Sequence, residues 1–148
     1  MTSSQRREDA IAAIVARTGI DEALIERLVR HFYGKIRNDT VLGPIFAARI
    51  ADWEPHLQRM CRFWSSVALM TGTYHGQPMP MHAPLPVDAR HFDRWLEIFE
   101  DAAREVCAAP AADYFIERAH RIAQSLEMGI AVSRGVMLKP GERYRDSA

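Results

Sequence analysis

Glycine and proline set the first limit on this chain. Of sixteen such residues, six crowd into residues 71–87: Gly72, Gly76, Pro78, Pro80, Pro84 and Pro86. At that density neither residue sustains regular structure, because glycine loses too much backbone entropy and proline lacks the N–H that a helix or sheet needs. The chain is therefore divided into two halves. Both halves carry apolar residues at the three-and-four spacing of amphipathic helices. Strand-like alternation and internal repeats are missing. The pattern predicts an all-α fold, packed as a helical bundle or a globin-like array, with one long punctuated loop between its halves.

A short helix is expected over residues 8–17, with Ile11, Ile14 and Val15 on one face and Gly19 as its stop. Asp21 caps the next helix, whose inner face is Leu24, Ile25, Leu28, Val29, Phe32, Tyr33 and Ile36, and Asn38-Asp39 ends it. Residues 41–46 read as an apolar turn, since Gly43-Pro44 breaks regular structure. A third helix is expected over 52–70. One stripe of it carries Trp53, His56, Met60, Phe63, Trp64 and Val67. After the loop, Asp88 caps a helix with Phe92, Trp95, Leu96, Phe99, Ala103 and Val106 inward. Pro110 then opens a last helix bearing Phe115, Ala119, Ile122, Leu126 and Ile130. The polar run from Lys139 reads as a loose tail.

Charge and size exclude several functions. With 148 residues and 48% apolar composition the chain fits one globular domain. Nineteen basic residues balance nineteen acidic ones, which leaves no positive field to draw in nucleic acid or anionic lipid. No apolar run approaches the ~20 residues of a membrane span. Residues 1–8 are polar with no apolar region behind them, so a secretory leader is not expected. Cys61 and Cys107 stand far apart and form neither a zinc knuckle nor a redox pair, which suits a reducing cytoplasm.

Nucleophile elbows, phosphate loops, HExxH and EF-hand patterns are missing, and Ser65 and Ser66 have no evident base partner. Most carboxylates fall opposite the apolar stripes, as solvated faces do. Among the histidines, His31, His75, His91 and His120 fall on polar faces or among turn residues and read as surface side chains. His56 instead sits inside an aromatic stripe, where it is either a hydrogen-bonded core residue or the lining of a cavity. His82 lies between prolines, with Met79 and Met81 beside it. A long loop of this kind is often functional, and its prolines hold an imidazole at low entropic cost. Two readings stand together: an idle surface loop, or one axial ligand to a metal that a porphyrin already holds by four nitrogens. Tyr33 and Trp95 are each core or donor. Taken together, two histidines, a tyrosine and a tryptophan from four segments converge on one apolar interior.

These blocks resemble the group III truncated haemoglobins, bacterial 2-on-2 globins, from about residue 21 to residue 132. The resemblance is carried by Phe32-Tyr33, Leu42-Gly43-Pro44-Ile45-Phe46, Trp53 through His56 to Phe63-Trp64, Tyr74-His75-Gly76-Gln77-Pro78 followed by His82, and Phe92 through Trp95-Leu96 to Phe99. It implies a truncated globin domain over 21–138, an added N-terminal extension with a short helix over 1–20, and a flexible tail over 139–148. The implied cofactor is haem b, iron protoporphyrin IX, with His82 as its proximal ligand. Tyr33, His56 and Trp95 match the distal positions. Phe32, Phe46, Met60, Phe63, Trp64, Met81, Phe92 and Phe99 are expected around the macrocycle, and Arg59 near a propionate. The Gly-Gly hinges of other truncated globins are missing, as in group III.

The implied function is binding of O₂ and other diatomic ligands by a monomeric cytoplasmic protein. Two distal donors would slow ligand release, which suits nitric oxide or peroxide chemistry served by a reductase better than oxygen delivery. Two other readings use the same residues. One is a helical regulatory or adaptor domain without haem, its aromatics plain core. The other is a mononuclear metal hydrolase using His56 and His82.

Overall fold

The computed structural model describes residues 2–72 and 85–146, which form six helices and no strand. Helix α1 (Ser3–Thr18) begins where the Thr2 hydroxyl accepts from the Gln5 N–H and ends at Gly19, whose φ of 70° closes the turn. It starts earlier than the apolar spacing indicates. The added polar turn is held by that cap and by a Gln5–Asp9 hydrogen bond of 3.1 Å one helical turn apart.

Helix α2 (Glu22–Asn38) is capped by Asp21, which accepts from the Leu24 N–H at 2.8 Å, and all seven expected inner residues are buried. Helix α3 (Leu42–Arg49) occupies the place of the expected apolar turn. Proline is harmless there because Pro44 falls in the first turn, where backbone N–H groups have no partner within the helix. The Asp39 carboxylate accepts from the N–H groups of Val41 and Leu42, and Arg94 fixes it at 2.7 Å. Gly43 is required by closeness: a Cβ there would lie 3.0 Å from the Arg37 carbonyl oxygen.

Helix α4 (Trp53–Leu69) ends at Met70, whose φ of 53° is left-handed. Arg7 of α1 donates to the Met70 carbonyl and so ties the N-terminal extension to this cap. Helices α5 (Ala89–Val106) and α6 (Ala109–Ser133) follow with only two residues between them, which makes them antiparallel neighbours, and Pro110 sits in the first turn of α6. The principal packings are α5 on α6, α2 on α5 and α2 on α4. Two layers of two helices result, with Phe99 and Phe115 fully buried between them. Truncating either ring to alanine would cost about 3–5 kcal/mol.

The C-terminal segment differs from its expectation as a loose tail. Tyr144 is only 4% exposed, and its carbonyl accepts from the Ala89 N–H at 2.8 Å. The physical reason lies in two carboxylates, one at the expected cap of α5 and one that the sequence places on a solvated face. Glu127 and Asp88 are buried, and a buried carboxylate needs donors. Arg143 donates twice to Glu127, the Tyr144 N–H donates to Glu127 at 3.0 Å, and the Asp146 N–H donates to Asp88 at 3.0 Å. The tail is thereby stitched across the start of α5 and the middle of α6.

Candidate functional site

Between the two layers lies a cavity of about 1060 Å³, part of it open to solvent. On one side, α2, α3 and α4 contribute Tyr33, Leu42, Ile45, Phe46, His56, Arg59, Met60, Phe63 and Trp64. On the other stand Leu85, Val87, His91, Phe92, Trp95, Ile122, Ala123 and Leu126. The helix periods explain the grouping. Tyr33 is the last large residue on the buried face of α2 before Ile36. His56 and Met60 are one turn apart on α4, as are Phe92 and Trp95 on α5.

Tyr33 and His56 meet edge to face, with ring centroids 5.0 Å apart and planes at 88°. Burial pushes the Tyr33 phenol well above its usual range, so at neutral pH it keeps its proton and remains a donor. Trp53 closes the far side of this pair, 5.8 Å from His56, and carries the Arg37 guanidinium on its face at 4.7 Å. Trp95 is fixed from behind. It stacks on Phe99 at 5.5 Å and meets the edge of Phe32 at 5.3 Å, while Phe99 stacks in turn on Trp64 at 5.3 Å.

Of the residues expected around the macrocycle, Phe46, Met60, Phe63, Trp64 and Phe92 line the cavity, together with Tyr33, His56, Trp95 and Arg59. Phe32 and Phe99 do not. They are the buried layer that backs Trp95 and Trp64. Helical spacing puts a residue on the inner face but cannot tell the first layer of an interior from the second. Met81 and His82 lie outside the described residues.

His91 also differs from its reading as a surface side chain: it lines the cavity and its side chain is only 20% exposed. It stands three residues into α5, and its Nδ1 accepts from the Asp88 N–H at 3.0 Å in a reciprocal cap. The Asp-x-x-His spacing was a signal for this placement. His31 and His120 are exposed partners of Glu105 and Glu100.

Around the cavity the polar groups are a phenol, two indoles, two imidazoles and one guanidinium, and no carboxylate lines it among the described residues. An apolar ligand with an anionic edge suits such a lining. A haem is such a ligand. Among the described residues no three His, Cys, Asp or Glu side chains are grouped as metal ligands would be.

Comparison with known proteins agrees with this geometry. The family model for bacterial-like globins matches residues 14–128. The Group 3 truncated hemoglobin of Campylobacter jejuni is 33% identical over 113 residues, covering 73% of this chain and 89% of the relative. The crystal structure of a group III truncated hemoglobin from the same organism superposes with a TM-score of 0.69 over 73% of this chain and 89% of that one. The Group 2 truncated hemoglobin of Bacillus subtilis is 30% identical over 90 residues, covering 59% of this chain and 67% of the relative. Hemoglobin from Chloroflexus aurantiacus superposes with a TM-score of 0.65 at 28% identity, over 76% and 95% of the two chains. The two-layer helical fold, the aromatic cavity and these matches have one source: the chain belongs to the bacterial-like globin family, as a truncated haemoglobin of group III.

Proposed function

We propose that the chain binds haem b in the cavity between its layers, that His82 would hold its iron, and that the bound group would take O₂ and other diatomic ligands. The observation that carries this reading is the lining: apolar and aromatic on every side, bearing donors and cations but no carboxylate among the described residues. A plain adaptor domain would fill that space with packed rings. A hydrolase would need a carboxylate beside His56, and the cavity offers none among the described residues.

When bound, the haem supplies an iron that accepts a diatomic ligand. The chain's own residues do the rest. Tyr33, a buried phenol that carries its proton at neutral pH, donates its O–H to a ligand of partial negative charge. Trp95 offers an N–H from a ring that Phe99 and Phe32 keep from turning. His56, in edge contact with Tyr33, adds a third polar group on the same side. Phe46, Met60 and Phe63 exclude water, which strengthens each donor by lowering the local dielectric. Arg59 neutralises a propionate. Donors this well fixed slow ligand release and favour turnover of nitric oxide or peroxide, with a reductase restoring the iron, over oxygen delivery.

The test is optical. Purified protein loaded with haem should show an intense absorption band near 400 nm that shifts on reduction and on CO binding. The His82→Ala variant should lose stable haem uptake. A wild-type protein that takes up no haem ends this reading. A His82→Ala protein with an unchanged spectrum moves the axial ligand elsewhere.

A further inference from the structure

We propose that His91 is a haem-carboxylate ligand at the cavity rim, donating through Nε2, with its tautomer set by the N-terminal cap of α5. The inference rests on the haem reading above and assigns one more residue to that site.

His91 lines the cavity and is still partly open to solvent, which places it where the wall meets the mouth. Its Nδ1 lies 3.0 Å from the Asp88 backbone nitrogen and 3.3 Å from Asp88 Oδ1. Of these two neighbours the N–H decides the proton. The Asp88 carboxylate already accepts from the Arg90 N–H, twice from the Arg90 guanidinium and from the Asp146 N–H. Among the described residues the Asp88 N–H has no acceptor other than His91 Nδ1. Nδ1 is therefore the acceptor, and the neutral ring must carry its hydrogen on Nε2. Among the described residues that Nε2–H has no hydrogen-bond partner, although the ring is held at both its backbone and its cap. A fixed donor at the rim of an apolar cavity, whose one neighbouring carboxylate, Asp88, is already taken up by Arg90 and the Asp146 N–H, suits the acidic edge of a tetrapyrrole. Arg59 lines the same cavity from α4 and brings a cation to that ligand beside the neutral donor.

Two substitutions separate this role from the capping role. Glutamine at the third helical position keeps the cap acceptor and also keeps a donor. Glutamate keeps the cap but replaces the donor with a negative charge. Haem loss from each holoprotein to an excess of apomyoglobin would be measured with protohaem and with its dimethyl ester, which lacks both carboxylates. With protohaem, His91→Gln should lose haem at about the wild-type rate, and His91→Glu roughly 3- to 10-fold faster. With the dimethyl ester, all three proteins should lose the pigment at one rate, and their melting temperatures should agree. An acceleration that is equal for both pigments, or absent for protohaem, overturns the assignment while leaving the haem reading intact. A wild-type protein that binds neither pigment overturns both.

Discussion

A phenol and a buried carboxylate show how much the surroundings of single residues decide here. Tyr33 is 6% exposed, and burial alone raises its phenol. Replacing it by phenylalanine removes the donor and keeps the packing against His56 and Phe46. O₂ dissociation followed by stopped flow should accelerate about 10-fold or more, and an unchanged rate would take Tyr33 out of the donor role. Asp88 makes a different case. Burial would raise its carboxyl, but hydrogen bonds from Arg90 and from the backbone of Asp146 outweigh that and hold it far below the usual carboxylate range. A depressed value means stabilisation that is complete above the unfolded-chain value of about 3.9 and is lost as pH falls below it. Asparagine is an equally good helix cap, so Asp88→Asn isolates the charge. Urea unfolding should show the variant about 2 kcal/mol less stable at pH 7. The gap should narrow by about 1.4 kcal/mol per pH unit below about pH 4, and a gap independent of pH would contradict the ion-pair account.

Among the elements, those with a clear helical period were legible in the sequence. Asp21, Asp88 and Pro110 mark the starts of α2, α5 and α6 as composition and spacing expected, and the inner face of α2 was readable residue by residue. What stayed hidden depends on distant partners. Helix α3 was masked by its Gly-Pro pair, which breaks a helix interior but is tolerated in a first turn once Asp39 and Arg94 supply the cap. The C-terminal segment looked unstructured because its local sequence is polar. Its order comes from Glu127, Asp88 and a pocket for Tyr144, none of which is near it in the chain. Tyr144→Ala should therefore cost roughly 3 kcal/mol and lower the melting temperature by roughly 10 °C. A melting temperature within a degree of wild type would show that the segment is not part of the cooperative unit. Phe32 and Phe99 make the same point inside the core: the period gave their direction, and only the packing of three helices gave their depth.

For the molecule as a whole, two thin layers leave little material around the cavity, and its wall is also the core. The column Trp95–Phe99–Trp64 crosses from α5 to α4, with both tryptophans in the cavity wall, and Phe115 of α6 packs against its Trp64 end. Any ligand that fills the cavity therefore stabilises the fold directly, by RT ln(1 + [L]/Kd). Loading with haem should raise the unfolding midpoint by several degrees, measured on the same preparation before and after loading. A further consequence concerns the chain's three indoles. Trp64 and Trp95 form part of the cavity wall, and Trp53 is one ring removed through Tyr33 and His56. Ultraviolet emission from this protein thus arises entirely beside the place where a strongly absorbing pigment would sit. Energy transfer over so short a span would darken it almost completely, giving the molecule a native fluorescent gauge of how many copies are filled.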